Sequence, residues 1–284
     1  MTVWQAILLG IVQGLTEFLP VSSSAHLIVV PWLFGWESPG LAFDAALHLG
    51  TLAAVLVYFW RDLLAMALAL PRAIRRPYAV LRSDDPADIM PRLALLIALG
   101  TVPGLIAGLL GAGTIDAVYH PGGVAPDGVI VTIAVALIAL ALLLLAAERA
   151  AQHVRGMASL TVRDAVIIGL AQALALIPGV SRSGATITAG LFRGLTRADA
   201  ARFSFLLGAP IVAAAGAKGL LDTLTSGLDA GQLGVFAIGL AASALAGFAA
   251  IWGLLRYLQR ASTAVFIVYR IMLGIVLIVL VVSR

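Results

Sequence analysis

The chain has 284 residues, of which 62% are hydrophobic and only 11% charged, against about half and about a quarter in a soluble domain. No water-soluble fold hides that much apolar surface, and apolar runs of roughly 20 residues predict a bundle of membrane-spanning helices. A formal charge of +4 and a pI near 10.0 come from basic residues scattered between the apolar runs, with no aromatic-interleaved patch, so they read as topology signals and not as a nucleic-acid footprint. Cysteine is absent, which excludes disulfides, thiolate-ligated metals and a thiol nucleophile.

In chain order, residues 3–35 form an apolar region broken near its middle by Pro, Ser and Gly. Two short helical halves follow, the pattern of a re-entrant hairpin whose irregular backbone must be buried in protein or line a wet cavity. The region has no basic leader and no small-residue cleavage site ahead of its polar stretch at 13–17, and is expected to stay in the mature fold. Full spans are predicted at 41–60, 91–110 and 128–147. A second broken region at 163–193 predicts a second hairpin, followed by spans at 198–221, 232–256 and 263–282. The expectation is an all-α polytopic membrane protein, one integral membrane domain over 1–284, with six full spans and two re-entrant hairpins.

The two broken regions resemble each other. Gly10, Gln13, Val21, Ser22 and Ser24 recur at a constant offset of 159 as Gly169, Gln172, Val180, Ser181 and Ser183. Pro20 matches Pro178 after a slip of one residue, and Leu49-Gly50 lines up with Leu207-Gly208. A weak internal repeat, about 1–148 and 160–284, follows. Three spans separate the hairpins, so they enter the membrane from opposite sides and the repeat is inverted. The segments 61–92, 149–163, 193–197 and 256–260 hold 13 of the 18 Lys and Arg, whereas 111–126 and 222–231 hold none. The positive-inside rule makes the first set cytoplasmic and puts both termini and the mouth of the first hairpin outside.

Polar side chains cluster at the breaks, where an ionisable group at membrane depth marks a functional site unless it is simply paired. Gln13 and Glu17, spaced i, i+4, project from one helix face. A carboxylate there beside a phosphorylated ligand suits Mg²⁺ or Ca²⁺, bound through Glu17 and substrate oxygens; the plainer alternative is hydrogen bonding to the loop. Ser22, Ser23 and Ser24 stand at the start of a half-helix, where free N–H groups favour an anion, although serines also cap ordinary helices. His26 lies one turn on and suits a base, acid or nucleophile. Ser181, Arg182, Ser183 and Thr186 repeat the construction, with a guanidinium at the tip that suits phosphate or an ion pair with Glu17. Asp44, His48, Arg202 and Arg270 lack this break-and-cap context and read as interfacial or supporting. Broken helices meeting at the midplane also build secondary transporters, so a lipid-phosphate flippase is the competing reading.

The segments QGLTEFLPVSSSAH, from Gln13 to His26, and PGVSRSGAT, from Pro178 to Thr186, resemble the two motifs of the bacterial undecaprenyl-diphosphatases, also called bacitracin-resistance proteins, and the likeness runs over nearly the whole chain. The resemblance implies hydrolysis of undecaprenyl diphosphate to the monophosphate carrier lipid and phosphate, in the bacterial cytoplasmic membrane, in support of peptidoglycan synthesis. It implies that Gln13 and Glu17, the serine loop, His26 and Arg182 form the site. Gln13 stands at a position the family fills with Glu or Gln, while Ser24 and Ala25 stand where Thr and Gly are common. The nucleophile is left open among Ser23, His26 and a water activated by His26. The partners implied are a polyprenyl diphosphate and membrane lipids, with no nucleic acid; a homodimer is left open.

Overall fold

The computed structural model describes residues 1–37, 40–119, 124–225 and 230–283. The described residues fold into α1 (Val3–Phe18), α2 (Ser23–Phe34), α3 (Leu41–Tyr58), α4 (Trp60–Arg75), α5 (Pro77–Arg82), α6 (Ile89–Tyr119), α7 (Asp127–Ala150), α8 (Val162–Ala173), α9 (Arg182–Phe192), α10 (Arg197–Thr225), α11 (Ala230–Leu258) and α12 (Ala264–Val282), with no strand among them. Five helices are long and apolar enough to cross a membrane, and a sixth span results if α3 and α4, bent by 79°, are taken together. The chain is an all-α polytopic membrane protein.

Both broken regions become pairs of short helices, α1–α2 and α8–α9, and the pairs share their caps. Thr2 closes a capping box with Gln5 at the start of α1, and Thr161 does so with Asp164 at the start of α8. Each box satisfies two of the N–H groups that a helix start leaves without partners. Ser22 caps α2 with φ 76°, and Ser181 caps α9 with φ 72°. A positive φ in a residue carrying a Cβ costs about 1–3 kcal/mol and persists only where surrounding contacts enforce it.

Packing exchanges the halves of the chain. α1 lies against α11, and α8 lies against α6. The two crossings are close for the same reason: a Cβ on Gly10 would overlap the Gly239 carbonyl, and a Cβ on Gly169 would overlap the Gly100 carbonyl. Small residues let backbones approach where lipid offers no hydrophobic drive between helices. α3 with α10, and α7 with α12, complete the bundle.

The segment 61–92 is mostly helical, not a loop. After α3 ends at Tyr58, α4 leaves at a sharp angle with Trp60, Leu64, Leu68 and Ile74 exposed and Met66 and Ala73 buried. That amphipathic pattern suits a helix lying along the membrane surface; of its charged residues, Arg72 pairs with Asp88 at 2.7 Å and Asp62 with Arg202 of α10 at 2.7 Å. The charge-free segments 111–126 and 222–231 are also not wholly loops. Residues 111–119 belong to α6, 222–225 to α10 and 230–231 to α11, while 120–123 and 226–229 lie outside the described residues.

Candidate active site

The break between α1 and α2 folds Ser23 back onto the last turn of α1. Its hydroxyl donates to Glu17 Oε2 at 2.7 Å, and Gln13 Nε2 donates to the same oxygen at 3.0 Å. Glu17 is only 5% exposed, so its charge needs partners inside the protein. The chief partner comes from the other hairpin: Arg182 Nη2 donates to Glu17 Oε1 at 3.1 Å. The ion pair that is the alternative role of Arg182 is thus present. Arg182 Nη1 also donates to the Ser204 carbonyl at 3.0 Å. It lies across α10 at Gly208, where any Cβ would collide with the guanidinium.

Ser22 and Ser181 act as caps, accepting from Ala25 N at 3.4 Å and Gly184 N at 3.0 Å. Each hydroxyl also meets a second serine, Ser24 and Ser183, at 3.2 Å. The first-turn N–H groups of Ser23 and Ser24, and of Arg182 and Ser183, have no acceptor one turn back within their helices. Two helix starts with such donors, each at the positive end of a peptide dipole, have the character that suits an anion.

Not every singled-out hydroxyl is available to a ligand. Ser183 Oγ donates to the Leu19 carbonyl at 3.1 Å, tying the two tips together. Thr186 Oγ1 donates to the Arg182 carbonyl at 2.8 Å and meets Ser204 Oγ at 2.6 Å, with no exposure. In this arrangement Thr186 holds the start of α9.

His26 has both ring nitrogens engaged, Nδ1 with the Ser22 carbonyl at 2.6 Å and Nε2 with the Tyr269 hydroxyl at 2.6 Å. His48, read as supporting, reaches the site: its Nε2 is 3.7 Å from Glu17 Oε2, and its Nδ1 is 2.8 Å from the Asp44 carbonyl. Asp44 is buried on the preceding turn of α3.

Arg270 of α12 is fully buried. It donates to Pro20 O at 3.1 Å in the first break and to Gly179 O at 2.8 Å in the second, and to Leu137 O at 3.1 Å on α7. One guanidinium therefore sets the spacing of both tips. Neither Arg270 nor Tyr269 sits near a sequence break. An arginine in the middle of an otherwise apolar span was the one signal available for Arg270, and Tyr269 offered none.

Among the described residues no group of three or more His, Cys, Asp or Glu is placed to hold a metal ion, so a divalent ion here would rest on Glu17, Gln13 and ligand oxygens. Gln13 Oε1 is buried with no partner among the described residues. Turning that amide over would bring its oxygen against the Glu17 carboxylate, an approach that a cation between them stabilises. Glu17 and Gln13 would then hold the ion, with ligand oxygens completing its shell.

Residues 6–276 match the model of the family described as "Bacitracin resistance protein BacA". The chain belongs to this family. Its similarity to curated members spans both partners: 52% identity to the undecaprenyl-diphosphatase of Thermomicrobium roseum, covering 99% of each chain, and 45% to that of Desulforudis audaxviator, covering 100% of each. The undecaprenyl-diphosphatase of Synechococcus elongatus is 47% identical over 95% of this chain and 90% of its own. Gln13, Glu17, Ser23, His26 and Arg182 all lie within the matched region.

Proposed function

We infer that the chain is an undecaprenyl-diphosphatase, a membrane hydrolase that converts undecaprenyl diphosphate to undecaprenyl phosphate and inorganic phosphate and so returns the carrier lipid to cell-wall synthesis. The observation that carries the mechanism is the 2.7 Å hydrogen bond from Ser23 to Glu17, a nucleophile beside a buried base in front of two helix starts.

The diphosphate lies at these two helix starts, where Arg182 exchanges part of its ion pair with Glu17 for phosphate oxygens. Ser23 Oγ attacks the terminal phosphorus as Glu17 accepts its proton. The bond from phosphorus to the bridging oxygen breaks, and the lipid monophosphate departs with that oxygen. Water then hydrolyses the phosphoserine, releasing phosphate and restoring Ser23, with His26 as the base for that water. A Mg²⁺ or Ca²⁺ held by Glu17 and Gln13 would neutralise charge on the phosphates. Ser23 is favoured over His26 as nucleophile because its hydroxyl already donates to a carboxylate that can take its proton, whereas the His26 Nε2 lone pair faces the Tyr269 hydroxyl.

The matched caps and exchanged packing support a reading of two inverted repeats, about 1–148 and 160–284, in one domain. The charge distribution supports placement in the bacterial cytoplasmic membrane with both termini and the mouth of the site on the outer side. A cysteine at Val124, in the segment without Lys or Arg, is expected to react with an impermeant thiol reagent from outside.

The deciding experiment is phosphate release from undecaprenyl diphosphate by the detergent-purified protein, with and without EDTA, beside Glu17→Ala and Arg182→Ala. Release by the wild type that is lost in both folded variants supports the phosphatase and its site, and sensitivity to EDTA supports the metal. A well-folded wild type that releases nothing would overturn the reading.

A further inference from the structure

His26 faces two partners of different kinds. The Ser22 carbonyl can only accept, so Nδ1 must carry a proton and donate it. In the neutral ring Nε2 then holds a lone pair, and the Tyr269 hydroxyl, 2.6 Å away, must be the donor. The two rings lie nearly parallel, 10° apart with centroids at 5.8 Å, so the contact orients the imidazole as well as its proton. Tyr269 reaches this position from the far end of the chain. It is held there by the next residue, Arg270, whose bonds to Pro20 and Gly179 tie α12 to both breaks. Tyr269 is 43% exposed while His26 is 8% exposed, so the phenol stands on the open side of the ring.

We propose that Tyr269 is a positioning residue of the active site, which fixes His26 with its proton on Nδ1 and its lone pair at Nε2. This role rests on the reading of the site as a phosphatase centre. The tautomer decides which nitrogen can take a proton during turnover, and the neighbour of a histidine decides the tautomer. Only Nε2 carries a lone pair, and the Tyr269 hydroxyl donates into it. When the attacking water gives up a proton, the phenol passes its own proton to Nε2 as it takes the one from water, and its oxygen then accepts the new N–H bond. One hydroxyl therefore serves both charge states of His26 without movement of the backbone. A phenylalanine keeps the ring stacking and removes the oxygen.

The test is Tyr269→Phe in the full-length detergent-purified protein, with His26→Ala and the double variant. The expected result is a fall in kcat of about 10- to 100-fold with KM for undecaprenyl diphosphate changed less than about twofold, and no further loss when Tyr269→Phe is added to His26→Ala, since residues acting as one unit are not additive. Multiplying losses, or wild-type turnover in Tyr269→Phe, would overturn the proposal. A second readout needs no activity. Nitrogen-15 spectra of the protein, with only four histidines and His26→Ala to assign the signal, are expected to show His26 as the Nδ1–H tautomer, and a mixture of tautomers in Tyr269→Phe. A wild-type His26 with its proton on Nε2 would overturn the proposal even if the chain proved not to be a phosphatase.

Discussion

At the first break the residue after the capping serine is Ser23, and at the second it is Arg182. One turn on, His26 in the first hairpin corresponds to Ala185 in the second, and Glu17 before the first break corresponds to Leu176. The backbones nevertheless agree: Ser22 and Ser181 share a positive φ, accept from the amide three residues on, and pair with a second serine at the same distance. One strained cap is used twice, once to carry the groups proposed to make and break bonds and once to carry the cation proposed to hold the anion. Duplicating the backbone doubles the number of first-turn N–H groups at the site, whereas duplicating the side chains would have crowded it with two carboxylates and no guanidinium. The asymmetry lies in the chemistry alone.

Replacing the chemical member of this comparison has the largest expected effect. Glu17→Gln keeps the shape but removes the base, and kcat for phosphate release is expected to fall about 10³-fold with the gel-filtration profile unchanged; turnover within tenfold of wild type would show that Ser23 is activated elsewhere. Next comes the residue that spaces the two tips. Arg270→Met leaves carbonyls of both breaks buried without donors, and the loss of stability is expected to be about 3 kcal/mol or more, read as a lowered unfolding midpoint in detergent. Arg182→Lys keeps the charge of the binding member but loses the planar fork that spans Glu17 and the Ser204 carbonyl. An increase in KM of roughly tenfold with a smaller change in kcat is expected, and the reverse split would place Arg182 in the chemical step.

The smallest effect sharpens the comparison at the mouths of the hairpins. α1 begins with the neutral pair Thr2 and Gln5, whereas α8 begins with Thr161 and a buried Asp164 that binds Arg155 at 2.7 Å and Arg193 at 2.6 Å. Burial alone would raise the Asp164 carboxyl, but the Arg155 and Arg193 guanidinium groups and the Thr161 hydroxyl hold it well below the usual carboxylate range. A carboxyl depressed on folding stabilises the protein above its unfolded value near 3.8, and that contribution is lost as pH falls towards the folded value. Asp164→Asn is therefore expected to cost about 2 kcal/mol at pH 7, with a gap to wild type that is level from about pH 5 to 8 and narrows below about pH 4. A gap that does not vary with pH would remove the ion pairs as its cause.

The breaks, and the side chains beside them, were legible because Pro, Ser and Gly interrupt runs that are otherwise apolar, and a charge at membrane depth has few structural uses. The family likeness of the two motifs agreed with that pattern. Tyr269 was not legible, since a tyrosine in an apolar helix carries no sign of which ring it will meet. His48 was set aside for want of a break nearby, yet the packing of α3 brings it to Glu17. α4 was hidden by its arginines, which lowered the apolarity of the segment below that of a span while leaving an amphipathic pattern intact. Thr186 shares the tip motif, but nothing in the motif shows that α9 turns its hydroxyl towards Ser204.

The exchange of partners between the halves bears on how the protein is made. Gly10 of α1 packs against Gly239 of α11, so α1 meets this neighbour only after 239 − 10 = 229 further residues have been added. At about 5–20 residues per second that is on the order of ten to fifty seconds. During that time α1 and its glutamate must wait in or beside the bilayer without the surface they were shaped to fit. α8, by contrast, finds α6 already in place when it emerges. The second hairpin can dock as it is synthesised, and the first, which carries Glu17 and Ser23, is completed last.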